Sequence, residues 1–186
     1  MSRFVNPRPF RAFTLLEMLA VCTVLGISAA MLIPSMSQTG VLRVQAAVRT
    51  VIADIVFAQS DAVAFQQKRA IVFDVAHSSY RLVEVPGDVI DVANNTMYDP
   101  TRSSGLYTVD FGDKTFGDAR ITAAVFDDAS NTLIFDALGG PVQDAGSNAP
   151  GNGGTITITG SGSTFIITVE AFTGRVTVTK LPEGGG

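Results

Sequence analysis

The sequence predicts an α+β chain: a long amino-terminal helix, membrane-spanning in its first half and amphipathic in its second, packed on an antiparallel β-sheet domain. Three observations carry that expectation. Residues 13–33 form an apolar run with one charge; residues 41–65 repeat apolar side chains in steps of three and four; and beyond Arg69 short β-rich runs alternate with Gly, Asn, Asp and Ser. The 186 residues are 46% hydrophobic and only 16% charged, against roughly 25% charged in an ordinary soluble domain. One folded body with an appendage accounts for both figures.

Composition removes several function classes. A single cysteine, Cys22, cannot form an internal disulfide or a multi-cysteine metal site, and a single histidine, His77, rules out multi-histidine metal catalysis. A Ser/His/Asp cluster would need His77 as its base. Arg3, Arg8 and Arg11 lie in residues 1–12 with no acid beside them. The other 174 residues hold 10 basic and 17 acidic side chains, a net of −7, which is the wrong sign for a general nucleic-acid binder.

The first element after the basic stretch is residues 13–34. Phe13 to Ile33 would make about 32 Å of helix, close to the ~30 Å hydrocarbon core of a bilayer. The three arginines place its amino-terminal side in the cytoplasm and the body beyond the membrane. Glu17 stands out, because a carboxylate within an apolar span costs about 2.5–3.5 kcal/mol and signals a partner or a function.

RAFTLLEMLAVCTVLG resembles the class III signal of type IV pilins and pseudopilins. The resemblance implies that residues 1–12 are a leader removed by a prepilin peptidase between Ala12 and Phe13. Phe13 then becomes the N-methylated first residue and Glu17 the fifth. The family usually has Gly where this chain has Ala12, which is still small. Glu17 is implied to act in assembly, pairing with the terminal amine of a neighbouring subunit. A negative charge in the first helical turn is also favoured by the helix dipole, by roughly 0.3–1 kcal/mol. Gly26 and Pro34 stand where family helices bend or loosen, and Pro34 removes a bond to the carbonyl of Ala30. Three other readings stay open for this segment: a secretory signal cut after Ala30, an uncleaved anchor, and a lipoprotein box at Leu19-Ala20-Val21-Cys22, where Val21 is bulky for the last.

Residues 35–67 form the second element. Val41, Val44, Val48, Val51, Ile55, Ala58, Ala62 and Phe65 follow helical spacing, with Arg43, Arg49, Asp54, Gln59, Asp61 and Gln66 between them. This predicts an amphipathic helix with one buried face. Residues 68–183 form the antiparallel β body, with strands predicted near 70–75, 80–85, 106–111, 120–126, 132–136, 155–159, 164–170 and 175–179. Gly160 to Ser163 reads as a hairpin connection, and Thr173-Gly174 as a tighter one. Residues 184–186 read as a flexible tail.

The body carries a second resemblance. AQSDAVAFQQ at the helix end, LIFDALGGPV and ITVEAFTGRVTV are similar to segments of the H-type pseudopilins of type II secretion and of related type IV minor pilins. Residues 86–115 match least. The resemblance implies a pilin-like fold and a structural subunit rather than an enzyme, without cofactor. Its implied partners are other pilin or pseudopilin subunits, the prepilin peptidase, an inner-membrane assembly platform and the lipid bilayer. The implied location is the bacterial inner membrane, single-pass, with a periplasmic body, and then the filament. A DNA-binding minor pilin for natural transformation and an exported membrane-anchored binding domain are the alternatives.

Other candidate chemistry is sparse. Asp88, Asp91, Asp99, Asp110, Asp113 and Asp118 could serve calcium or a solvated acidic loop, and their spacing matches no EF-hand. His77 falls at a turn, where polar side chains satisfy backbone groups. Gly139-Gly140-Pro141 and residues 146–154 lack a phosphate-loop ending. Gly174-Arg175-Val176-Thr177 lacks the second arginine of the Gly-Arg-x-Arg segment that some DNA-binding relatives carry. Nucleic acid is therefore not an expected partner, and no catalytic or metal-ligating set is predicted.

Overall fold

The computed structural model describes residues 13–102 and 104–182. The expected leader (1–12, with Ala12) and tail (184–186) lie outside the described residues, as do the side chains at 30–39. Helix α1 spans Leu15–Phe65. The described strands are β1 (Lys68–Asp74), β2 (Ser79–Val85), β3 (Thr108–Asp110), β4 (Arg120–Val125), β5 (Thr132–Phe135), β6 (Pro141–Val142), β7 (Gly153–Gly160), β8 (Ser163–Glu170) and β9 (Val176–Leu181). The chain divides into two compact units, Met1–Gln38 and Thr39–Gly186.

In the second unit, the three-and-four spacing puts Val44, Val48, Val51, Ile55, Ala58 and Ala62 on one stripe of α1, and all are buried. They share a core with Ile71, Phe73, Tyr80 and Leu82 of the β1–β2 hairpin and with Ile156, Ile158, Phe165 and Ile167 of the β7–β8 hairpin. Burying each large side chain is worth about 1.5–3 kcal/mol, so this stripe fixes the helix on the body. Phe65 departs from expectation: it is 68% exposed. The helix ends there, and the guanidinium of Arg69 covers the ring at 5.5 Å while donating to Asp61 at 2.5 Å.

The expected antiparallel β domain is present, and its strands divide into two sheets, β3-β2-β1-β5-β6 and β4-β7-β8-β9. The first is buried on both faces, because Ala70, Val83, Val85 and Ile134 pack under Val142, Ala145, Ile90 and Val92. The strand predicted at 106–111 shortens to β3, since Leu106 makes only a bridge to Tyr98 and Phe111 turns into the core. The strand predicted at 120–126 ends at Val125, and Phe126 also turns inward. β6 was not predicted, because Pro141 after two glycines reads as a turn.

β7 and β8 are joined through Ser161 and Gly162, at φ 46° and 72°. Both central residues of a tight hairpin turn must be left-handed, which Gly-rich sequence supplies. Asp118 holds this turn by accepting from the Ser161 amide at 2.6 Å and hydroxyl at 2.8 Å.

Candidate functional site

Of the amino-terminal candidates, Phe13 and Glu17 lie at the start of α1. Thr14 precedes the first helical residue, and its Oγ1 accepts from the amide of Glu17 at 3.2 Å. The Thr14 carbonyl also accepts from the amides of Glu17 and Met18. Thr14 is thus the helix cap, satisfying donors that a helix start leaves orphaned. Thr-x-x-Glu at 14–17 is the sequence pattern of a capping box, a signal that the sequence analysis passed over.

The side chains that follow form an apolar surface with a single charge. Phe13, Leu15, Leu16, Met18, Leu19, Val21, Val24, Leu25 and Ile27 are all exposed, as is Glu17. The Thr23 hydroxyl donates back to the carbonyls of Leu19 and Ala20, so it adds no free polar group. The Cys22 thiol is exposed within the same run. A Cβ on Gly26 would meet no atom within 4 Å. Pro34 lies inside α1, with Ala12 outside the described residues. Among the described residues no helix is long and apolar enough to cross a membrane.

The other candidates are occupied locally. Asp91 accepts from the amides of Ala93 and Asn94 and from the Asn94 side chain; Asp99 accepts from Thr101 and Arg102; Asp110 accepts from the Gly112 amide. The Asn94 side chain on Asp91, the Thr101 hydroxyl on Asp99 and the Ser161 hydroxyl on Asp118 hold those carboxyls below the usual range. Among the described residues no cluster of three or more metal-ligating side chains forms. His77 is exposed in the β1–β2 turn, where its ring nitrogen lies 2.7 Å from Asp74. Arg175 is clamped by Glu170 through contacts of 2.6 and 3.1 Å.

One polar group was misplaced by sequence reasoning. Asp54 does not lie on the solvent side of α1; it is buried and accepts from the hydroxyls of Tyr80 at 2.5 Å and Tyr107 at 2.8 Å. Burial raises its carboxyl above the ordinary value, against the lowering pull of the two tyrosines. Burial likewise lifts both phenols.

Comparison with known proteins bears on the amino-terminal segment and on the fold. Residues 7–33 match the prokaryotic N-terminal methylation motif, a stretch that contains Ala12, Phe13, Glu17 and Gly26. The fold is similar to that of the minor pseudopilin EpsH from the type 2 secretion system of Vibrio cholerae, at a TM-score of 0.50 and 11% identity, covering 77% of this chain and 99% of that one.

The chain carries an N-terminal methylation motif and a pseudopilin-like fold.

The chain is also similar to the type IV minor pilin FimU of Pseudomonas aeruginosa in two crystal forms. One gives a TM-score of 0.45 at 17% identity over 76% of this chain and 94% of FimU; the other gives 0.43 at 17% over 76% and 90%. No curated protein matches the sequence.

Proposed function

We propose that the pilin-like chain is a structural subunit of a pilus-type filament, a type II secretion pseudopilus or a type IV pilus. The observation that carries this reading is Glu17: one carboxylate in the capped first turn of α1, whose side chains from there to residue 29 are exposed and, Thr23 and Ser28 aside, apolar. Hydrolysis of the Ala12–Phe13 amide by a prepilin peptidase would release residues 1–12 and leave a cationic amine on Phe13, since an α-amine titrates near 7.7–8.0. Methylation keeps that charge. Among apolar helices, where water is scarce, the amine of one subunit and Glu17 of the next then satisfy each other and set the axial register.

Before assembly the apolar run of residues 13–33 would sit in the bacterial inner membrane as a single pass, with the arginines cytoplasmic and the β body periplasmic. Its working contacts are other pilin subunits, the peptidase, the lipid bilayer and an inner-membrane assembly platform. Gly26 and Pro34 are the positions where this helix would bend. DNA uptake by direct contact is disfavoured, because Arg175 is already neutralised by Glu170. The body beyond residue 12 is also acidic, at net −7.

Intact-mass analysis of the full chain, co-produced with an active or an inactivated prepilin peptidase, tests this reading. The active enzyme should remove residues 1–12 and permit addition of one methyl group. An unprocessed chain, or one cut after Ala30, overturns it.

A further inference from the structure

The two sheets end in four edge strands, and three of them are poor templates for another strand. β3 is three residues long, β6 is two and contains Pro141, and β4 carries a register irregularity between Ile121 and Ala123. Short length, proline, bulges and charged side chains are the devices by which edges are kept from pairing. Of these β9 carries only Lys180. It runs six residues, Val-Thr-Val-Thr-Lys-Leu, in unbroken register with β8, and Lys180 is its one charge. Its residues after Val176 are all exposed.

What lies beside that edge points to an occupant. Phe165, Ile167 and Val169 of β8 face the core, and their direct partners on β9 are Lys180, Val178 and Val176. These three β9 residues therefore point to the α1 side of the sheet. There the helix and the edge leave an open groove of about 240 Å³, lined by Gln45, Val48, Arg49, Ile52, Phe165 and Val178. A fifth strand beside β9 would send alternate side chains into this groove, next to Val178. Arg49 lines it, Lys180 is the β9 partner of the lining residue Phe165, and neither cation makes an ion pair among the described residues. On a chain of net charge −4 this is a locally cationic, half-apolar slot.

We propose that β9 is an open docking edge that accepts an extended segment of another protein as an added strand. The segment's groove-facing side chains are apolar or β-branched, and its carboxylates meet Arg49 and Lys180. Backbone pairing supplies the affinity, and the groove with its two cations supplies the selectivity. No residue before Thr39 enters this argument, so it stands or falls apart from the proposed assembly through Glu17.

The test uses the full chain in detergent micelles and two synthetic blocked peptides, Asp-Val-Thr-Val-Thr-Val-Glu and Lys-Val-Thr-Val-Thr-Val-Lys, followed by fluorescence anisotropy and amide hydrogen exchange. The acidic peptide should bind at least ~10-fold more tightly than the basic one and slow exchange within 176–181. Arg49→Glu combined with Lys180→Glu should reverse that preference. Val178→Lys should weaken binding about tenfold. Far-UV circular dichroism of each variant confirms that the fold is kept. Equal binding of both peptides, absence of protection in β9, or no reversal by the double variant overturns the proposal. So does peptide-free, concentration-dependent protection of β9, because the occupant would then be a second copy of this chain.

Discussion

Asp54 and Tyr80 tie α1 to β2 through a 2.5 Å hydrogen bond between residues 26 positions apart. The phenol belongs to the central core, with Phe73 at 5.4 Å and Phe111 at 6.3 Å between ring centroids. The second carboxylate oxygen takes the Tyr107 hydroxyl, and Tyr107 is itself stacked on Phe57 at 5.6 Å. One buried carboxylate therefore fastens the helix to a strand of the first sheet and to the segment leading into β3.

Removing it leaves a buried phenol without its acceptor. Asp54→Ala should cost about 2–3 kcal/mol of unfolding free energy, and Tyr80→Phe about 1–2 kcal/mol, because the carboxylate keeps Tyr107. Urea denaturation of both variants and of the double mutant checks this. The two effects should be clearly non-additive, as expected for groups in direct contact.

Titration gives a second check, with its sign fixed by the direction of each shift. Burial raises the Asp54 carboxyl above the ordinary 3.8, so the unfolded chain loses that proton first. Its contribution is present in full below 3.8 and declines as pH rises through the raised folded value. Asp74, held down mainly by the His77 side chain, and Glu170, held down mainly by Arg175, behave oppositely: their contributions are lost as pH falls below the ordinary values of 3.8 and 4.5. The wild type should therefore gain stability relative to Asp54→Asn as pH is lowered from 7 towards 4. Chemical denaturation of both proteins across that range measures the difference; a constant difference would show that Asp54 does not titrate as described.

Much of the architecture was legible because its signals are local. Val44 to Ala62 announce their helix face by spacing alone, and Thr155 to Thr159 announce a strand by alternation. The N-terminal methylation motif that holds the cleavage and methylation candidates Ala12 and Phe13 and the assembly candidate Glu17 was legible for the same reason, since it is one short run. Asp54 was not, because its partners come from 26 and 53 residues away and a charged residue on an amphipathic helix defaults to the solvent side. Phe65 was misjudged because spacing cannot show that a helix ends at that residue. The division into two sheets depends on which strands pair, and β1 pairs with β5 across a long connection that no local pattern records.

Two glycines separate local sterics from assembly. Gly153 has φ 75°, and a Cβ there would lie 2.1 Å from the Val169 carbonyl oxygen. Gly153→Ala should destabilise the body by about 1–3 kcal/mol. Gly26→Ala meets nothing within 4 Å and, in a helix interior, favours helix by about 0.8–1 kcal/mol. It should leave the melting transition of the unassembled chain no lower than that of the wild type. A loss confined to filament incorporation would then assign Gly26 to bending or to subunit contact.

The central claim is that Glu17 serves assembly rather than folding or processing. Its most direct test compares wild type, Glu17→Gln and Glu17→Leu in cells that make the peptidase and the filament machinery, measuring cleavage by mass and incorporation by the amount recovered in sheared filaments. The account predicts that both variants are cleaved after Ala12, remain in the membrane, and lose most of their incorporation. Incorporation of Glu17→Gln at the wild-type level would contradict it.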